Sequence, residues 1–183
     1  MNIFVLDRDP VKAAQFLCDA HVVKMTLESA QLLCTQLRVW RDSGKLFNYD
    51  DEDWSIIYKA THINHPCRVC LESSFYNMAW LVIHFNALLD EYKYRFGRTH
   101  GSSRIAQYFG YSNNWIPHIA EKVKLPKCMP EEFKAGGDSI DDVVISYRNY
   151  YRNKAVTIKR FKYTSRCAPV WLSGDLPDEN KVK

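Results

Sequence analysis

Residues 9–40 read DPVKAAQFLCDAHVVKMTLESAQLLCTQLRVW, and the recurrence of apolar residues along them decides the fold. Ala14, Leu17, Cys18, Val22, Met25, Leu32 and Leu33 return at three- and four-residue steps, the period of one helix face. Asp9 can accept backbone N–H bonds and Pro10 suits the first helical position, while Asp42-Ser43-Gly44 stops the pattern. The spacing predicts one long helix from Asp9-Pro10 to about Trp40.

Working outward, Asn2 to Leu6 reads as a short extended lead. Beyond the helix, an acidic loop from Asp50 to Asp53 precedes a shorter helix over Trp54 to Thr61. Asn64-His65-Pro66 reads as a turn that opens further helix, with Asn64 as the cap. A second long helix is expected from Ser73 to Phe96, because Tyr76, Ala79, Trp80, Ile83, Ala87 and Tyr94 fall near one face and Gly97 offers a stop. From His100 to Gly137 the pattern weakens into short helices and loops. Asp138 should cap a last helix to about Lys154, and Val156 to Phe161 suits strand or helix. The expected fold is mainly α: a single-domain helical bundle with a short extended N-terminal lead, over residues 1–172, followed by a loosely ordered tail at 173–183.

At 183 residues, with 46% apolar and 25% charged residues, the composition suits one globular domain and excludes disordered or collagen-like chains. No apolar run approaches the roughly 18 residues of a membrane span, and Met1 to Asp7 lacks the features of a signal peptide. The expected compartment is therefore cytoplasmic, the host cytoplasm if the chain is phage-encoded, with no membrane partner. Cys18, Cys34, Cys67, Cys70, Cys128 and Cys167 are then expected as reduced core residues.

The net charge of +4 is concentrated: Asp141 to Arg166 holds seven basic and two acidic residues, a local +5 that leaves −1 elsewhere. Arg148, Arg152, Lys154, Lys159, Arg160, Lys162 and Arg166 interleave there with Tyr147, Tyr150, Tyr151, Phe161 and Tyr163. Lys93, Arg95, Arg98 and Arg104 form a second basic stretch among Tyr92, Tyr94 and Phe96. Cations attract phosphates and aromatic faces stack on bases, so the pattern suits nucleic acid, DNA in particular, as partner; a merely solvated basic helix face is the alternative.

His21 and Glu28 are seven residues apart, about 20° from superposition after two helical turns. Both fall on the apolar stripe. A carboxylate aimed there costs free energy unless it is hydrogen-bonded, paired or kept for acid–base work. The run His62, His65, Cys67 and Cys70 holds metal-type donors, but all four lie within nine residues around one proline, whereas structural zinc sites draw pairs from two segments; no metal and no cofactor are expected. There is no phosphate-binding glycine loop, no Gly-x-Ser-x-Gly elbow and no His-Glu-x-x-His.

Asp19-Ala20-His21-Val22-Val23-Lys24-Met25-Thr26-Leu27-Glu28 resembles the first-helix segment of the phage pyrimidine-dimer DNA glycosylase/AP lyases of the endonuclease V type. That family has Asp-x-His, two apolar residues, and its catalytic Glu seven positions after the His. The Asn-Ile-Phe-Val-Leu lead and Arg166-Cys167-Ala168-Pro169-Val170-Trp171 are similar to further family features, the latter to its C-terminal Arg-Pro-x-Trp. Leu27 stands where the family has Arg. Leu-Asp-x-Asp-Pro and Asn-His-Pro also resemble uncharacterised phage proteins.

The resemblance implies an all-α enzyme that flips a base out of the duplex and attacks the sugar C1′ with its N-terminal α-amine, forming a Schiff base. α-Amines ordinarily titrate near about 8, which leaves a neutral nucleophilic fraction at physiological pH. Met1 would supply the amine, since Asn2 is too large for Met1 removal, and Glu28 would stabilise positive charge at the sugar and move protons. His21 would support the sugar or phosphate, and Arg148, Arg152, Lys154, Lys159, Arg160, Lys162, Arg166 and Trp171 would hold DNA. The expected function is thus a phage-type DNA-binding enzyme acting on pyrimidine bases. A transferase modifying pyrimidines in phage DNA, or a non-enzymatic nucleic-acid-binding host-takeover protein, are the alternatives.

Overall fold

The apolar stripe of residues 9–40 is carried by two helices rather than one. The structure, a computed structural model, describes residues 1–45, 51–110 and 122–172. Helices α1 (Pro10–Gln15) and α2 (Asp19–Asp42) are separated at Phe16, Leu17 and Cys18. The break arises because tertiary partners replace the helical ladder. The Cys18 N–H donates to the Tyr151 hydroxyl at 2.8 Å, and the Asp19 N–H donates to the Lys162 carbonyl at 2.9 Å. Both partners lie more than 130 residues away in sequence, so periodicity could not reveal the interruption.

Then follow α3 (Asp51–Ile56), α4 (Pro66–Ser73), α5 (Phe75–Phe96) and α6 (Ile140–Thr157), with short 3₁₀ turns at Gly101–Tyr108, Glu131–Phe133 and Val170–Leu172. No strand occurs among the described residues, so the chain is mainly helical as expected. Helix boundaries follow their caps, with two corrections. His65 rather than Asn64 caps α4, its ring nitrogen accepting from the Cys67 N–H. Ser139 rather than Asp138 caps α6, in a reciprocal capping box with Asp142. Gly97 ends α5 in the left-handed conformation expected of it, at φ 63°.

The third helix stops at Ile56 instead of Thr61. Arg38 of α2 takes up its last carbonyls, donating to Trp54 and Ile57 at 2.9 and 2.7 Å and also to Tyr58. The segment after Lys154 stays helical only to Thr157 and then turns. The tail at 173–183 and Asp50 of the acidic loop lie outside the described residues.

One contiguous core joins these elements. Helix α5 runs through it, packing on α1, α2 and α4, with Trp80 donating to the Arg8 carbonyl and His84 to the Pro10 carbonyl, both at 2.9 Å. The N-terminal lead is buried at Ile3, Phe4, Val5 and Leu6 and is not uniformly extended, because Phe4 sits at φ 54°. A non-glycine residue there carries strain. The Phe4 ring offsets it by stacking on His21 at 4.6 Å and packing edge-on to Tyr151 at 5.4 Å. Of the cysteines, Cys18, Cys34 and Cys67 are core residues, Cys70 and Cys128 are half-buried, and Cys167 is exposed, a correction to the expectation of six buried thiols.

Candidate active site around Glu28

The buried lead pins the start of the chain against α2, and that contact defines the site. The Asn2 backbone N–H donates to Glu28 Oε2 at 2.9 Å. The Asn2 side chain turns back to cap Ile3 N–H with its oxygen and donates from Nδ2 to the Cys128 carbonyl at 2.9 Å. Lys24, one turn before Glu28 on α2, places Nζ 3.5 Å from Glu28 Oε1. The Glu28 side chain keeps 13% of its surface, and that surface faces a cavity of about 270 Å³ walled by Met1, Phe4, His21, Lys24, Tyr150 and Lys154. The carboxylate is therefore neither sealed in the core nor free in solvent. Glu28, His21 and Met1 thus share one cavity.

His21 is buried beside the Tyr151 hydroxyl. That oxygen accepts the Cys18 N–H and lies 2.9 Å from His21 Nδ1. Nδ1 accepts from the hydroxyl in the Nε2–H tautomer and donates to it in the other. Burial, then the positive charges of Lys24 and Lys154, hold the His21 pKa down at about 4, so at neutral pH the ring is uncharged. Tyr151 itself is pushed up by burial.

His84, wholly buried on α5, is likewise lowered to about 4 by burial. Both histidines have folded pKa values below the ordinary 6.5. The unfolded chain therefore binds more protons than the native one as pH falls through that window. The stability they supply is complete above about 6.5 and is lost on the way down to about 4. Urea unfolding should show stability falling by about 2 kcal/mol for each of them between pH 7 and pH 5. A stability unchanged over that interval would show that neither ring is held neutral.

The sequence run His62 to Cys70 is divided by the fold. His62 bonds Thr61 through its ring nitrogen at 2.7 Å, and Cys70 directs its thiol to the Cys67 carbonyl. His65 and Cys67 instead meet Cys128, from the segment before the Glu131–Phe133 turn, with the ligand atoms of all three within 4.8 Å of one another. The Cys67 and Cys128 sulfurs are 3.4 Å apart. The hydrogen bond to Cys128 and burial push the Cys67 thiol up, while acceptance of that bond holds Cys128 below the usual thiol range. Burial and the nearby N-terminal charge lower His65, which places this cluster beside the chain start.

The basic segment is only partly available to a partner. Arg148 donates to the Leu6 carbonyl at 2.8 Å and to Asp7 at 3.1 Å. Arg152 donates to the Trp171 carbonyl and to Asn149, each at 3.0 Å. Arg166 clasps the buried Glu91 at 2.5 and 2.7 Å. Trp171 packs under the Arg148 and Arg152 guanidiniums, 5.1 and 5.9 Å from its ring centre. These four residues hold the fold together. Lys154 lies over the Tyr150 ring at 4.8 Å, on the cavity wall. Lys162 is 4.0 Å from Asp19 with its head exposed. Lys159 and Arg160 project from the turn after α6 and have no partner among the described residues.

Lys24 was readable from the sequence, three residues after His21 and four before Glu28 on one helix. Tyr151 and Cys128 carried no local signal, since both enter through contacts of long sequence separation.

Comparison with family models, with curated proteins and with solved structures finds no match to this chain. Among the described residues, no helix is long and apolar enough to cross a membrane.

Proposed function

We propose that the protein is a DNA glycosylase/AP-lyase-like enzyme acting on pyrimidine bases in DNA, with the Met1 α-amine as nucleophile and Glu28 as its carboxylate partner. The observation that carries this is the Asn2 N–H bond to Glu28 Oε2, which holds the carboxylate one peptide unit from the chain's amine, in an open cavity. In that chemistry the amine nitrogen bonds to C1′ as the C1′–N bond to the base breaks and the base leaves with the electron pair. Glu28 stabilises the cationic sugar and takes up the proton that the amine releases. Neutral His21 supports the sugar or phosphate without adding charge. Lys24 and Lys154 supply the positive rim, and exposed Lys159, Arg160 and Lys162 contact flanking phosphates.

Borohydride reduction in the presence of DNA bearing an abasic site tests this. A stable protein–DNA adduct is expected, and peptide mass spectrometry should locate it on Met1. An adduct on Lys24 instead would overturn the amine assignment, and no adduct at all would overturn lyase chemistry.

A further inference from the structure

We propose that His65, Cys67 and Cys128 bind one borderline-soft transition-metal cation, zinc in particular. The objection raised by the sequence was that every donor came from a single short run around Pro66. The fold removes that objection. His62 and Cys70 are engaged elsewhere, and Cys128 arrives from a segment 61 residues beyond Cys67. The resulting donors come from two separate segments, as in known zinc sites.

The distances suit one ion. Zinc binds thiolate at about 2.3 Å and imidazole at about 2.0 Å in a tetrahedron, which places two sulfur ligands about 3.8 Å apart. Here the sulfurs are 3.4 Å apart and all three ligand atoms fall within 4.8 Å, so closing the triangle on an ion requires the His65 ring to give up one of its present hydrogen bonds, to the Cys67 N–H or to the Met1 backbone. Two thiolates and a neutral imidazole select zinc over magnesium or calcium, which require oxygen donors. On binding, the two thiol protons pass to solvent, and the thiolate charges balance the dication, so the half-buried site carries no net charge.

The donors are also held in place by the fold. Cys67 is buried in the first turn of α4. The Cys128 N–H donates to the Tyr147 hydroxyl at 3.3 Å, and its carbonyl accepts from Asn2. Such outer contacts orient ligands in metal sites. Three protein ligands leave a fourth position for water, and Cys128 lines the same cavity as Glu28. None of the three ligands is the Met1 amine, so Co2+ binding and a borohydride-trapped DNA adduct are read as separate outcomes.

The test uses the full chain, reduced and stripped with chelator, titrated with Co2+ alone. One equivalent should produce the visible bands of tetrahedral Co2+ together with thiolate charge transfer in the near ultraviolet, and zinc should displace them. Cys128→Ser, at a half-buried position where folding can be checked by circular dichroism, should weaken Co2+ binding at least about tenfold. Cys70→Ser should leave it unchanged. The proposal is overturned if wild type shows no tetrahedral spectrum, or if the spectrum survives Cys128→Ser in a folded protein.

Discussion

Glu28→Gln will leave the protein folded, with near-normal melting temperature and DNA affinity, and will reduce turnover roughly 10² to 10⁴-fold. The amide is nearly isosteric, and its oxygen can still accept the Asn2 N–H that Glu28 Oε2 accepts now. Lys24, whose Nζ lies 3.5 Å from Glu28 and is mostly exposed, loses only a weak surface partner. What the variant removes is the negative charge beside the chain start and the proton acceptor. Melting curves and single-turnover assays on the same preparation separate the possibilities. A variant that unfolds would make Glu28 a structural carboxylate, and one with full activity would remove it from the chemistry.

The second large effect lies at the first residue of α2, where that helix is anchored. Arg95 has no exposed side-chain surface and donates to Glu91 at 2.6 Å, Asp19 at 3.1 Å and the Gln15 carbonyl at 2.9 Å. Burial alone would raise Asp19. The Thr164 hydroxyl and N–H, at 2.6 and 2.9 Å, together with Arg95, hold it below the usual carboxylate range instead. Arg95→Met fills similar volume but leaves two buried carboxylates short of a cation, so unfolding free energy should fall by about 3–5 kcal/mol. That is a large part of a typical domain's stability. Denaturant titration measures it, and a loss below about 1 kcal/mol would show that the Thr164 and Arg166 contacts suffice. Arg8→Ala, at the half-exposed pair with Asp141, serves as the surface comparison.

That network also explains how the site is aimed. Asp19 is the first residue of α2, and its ties to α5 and to the turn after α6 set the direction of the helix that carries His21, Lys24 and Glu28. The irregular segment before Thr164 provides the Lys162 carbonyl that receives the Asp19 N–H. The break between α1 and α2 therefore has a positional consequence: an uninterrupted helix would leave these donors without the partners they have here.

Much of the basic segment changes meaning in three dimensions. Charge counting weights Arg148, Arg152 and Arg166 equally with Lys159 and Arg160. Guanidinium groups, with five donors in a planar fork, are well suited to buried carbonyls and carboxylates, and all three arginines are used that way. Lys159 and Arg160, exposed in the turn after α6, carry no such obligation. Composition could place the positive charge along the chain but could not divide it between structure and surface.

What the sequence determined by itself is local. Helical period in residues 19–40 and 75–96, the proline and glycine punctuation, and the superposition of His21 on Glu28 follow from backbone geometry within a few turns and are present in the fold, whereas the single helix expected over residues 9–40 is broken at Phe16 to Cys18. The tertiary structure alone decided which distant groups complete the site. Asn2 reaches Glu28 across 26 residues, Tyr151 reaches His21 across 130 and Cys128 reaches Cys67 across 61. Such contacts depend on how whole helices pack, and helix packing is governed by the shape of the shared core. No periodicity along a single segment encodes that shape.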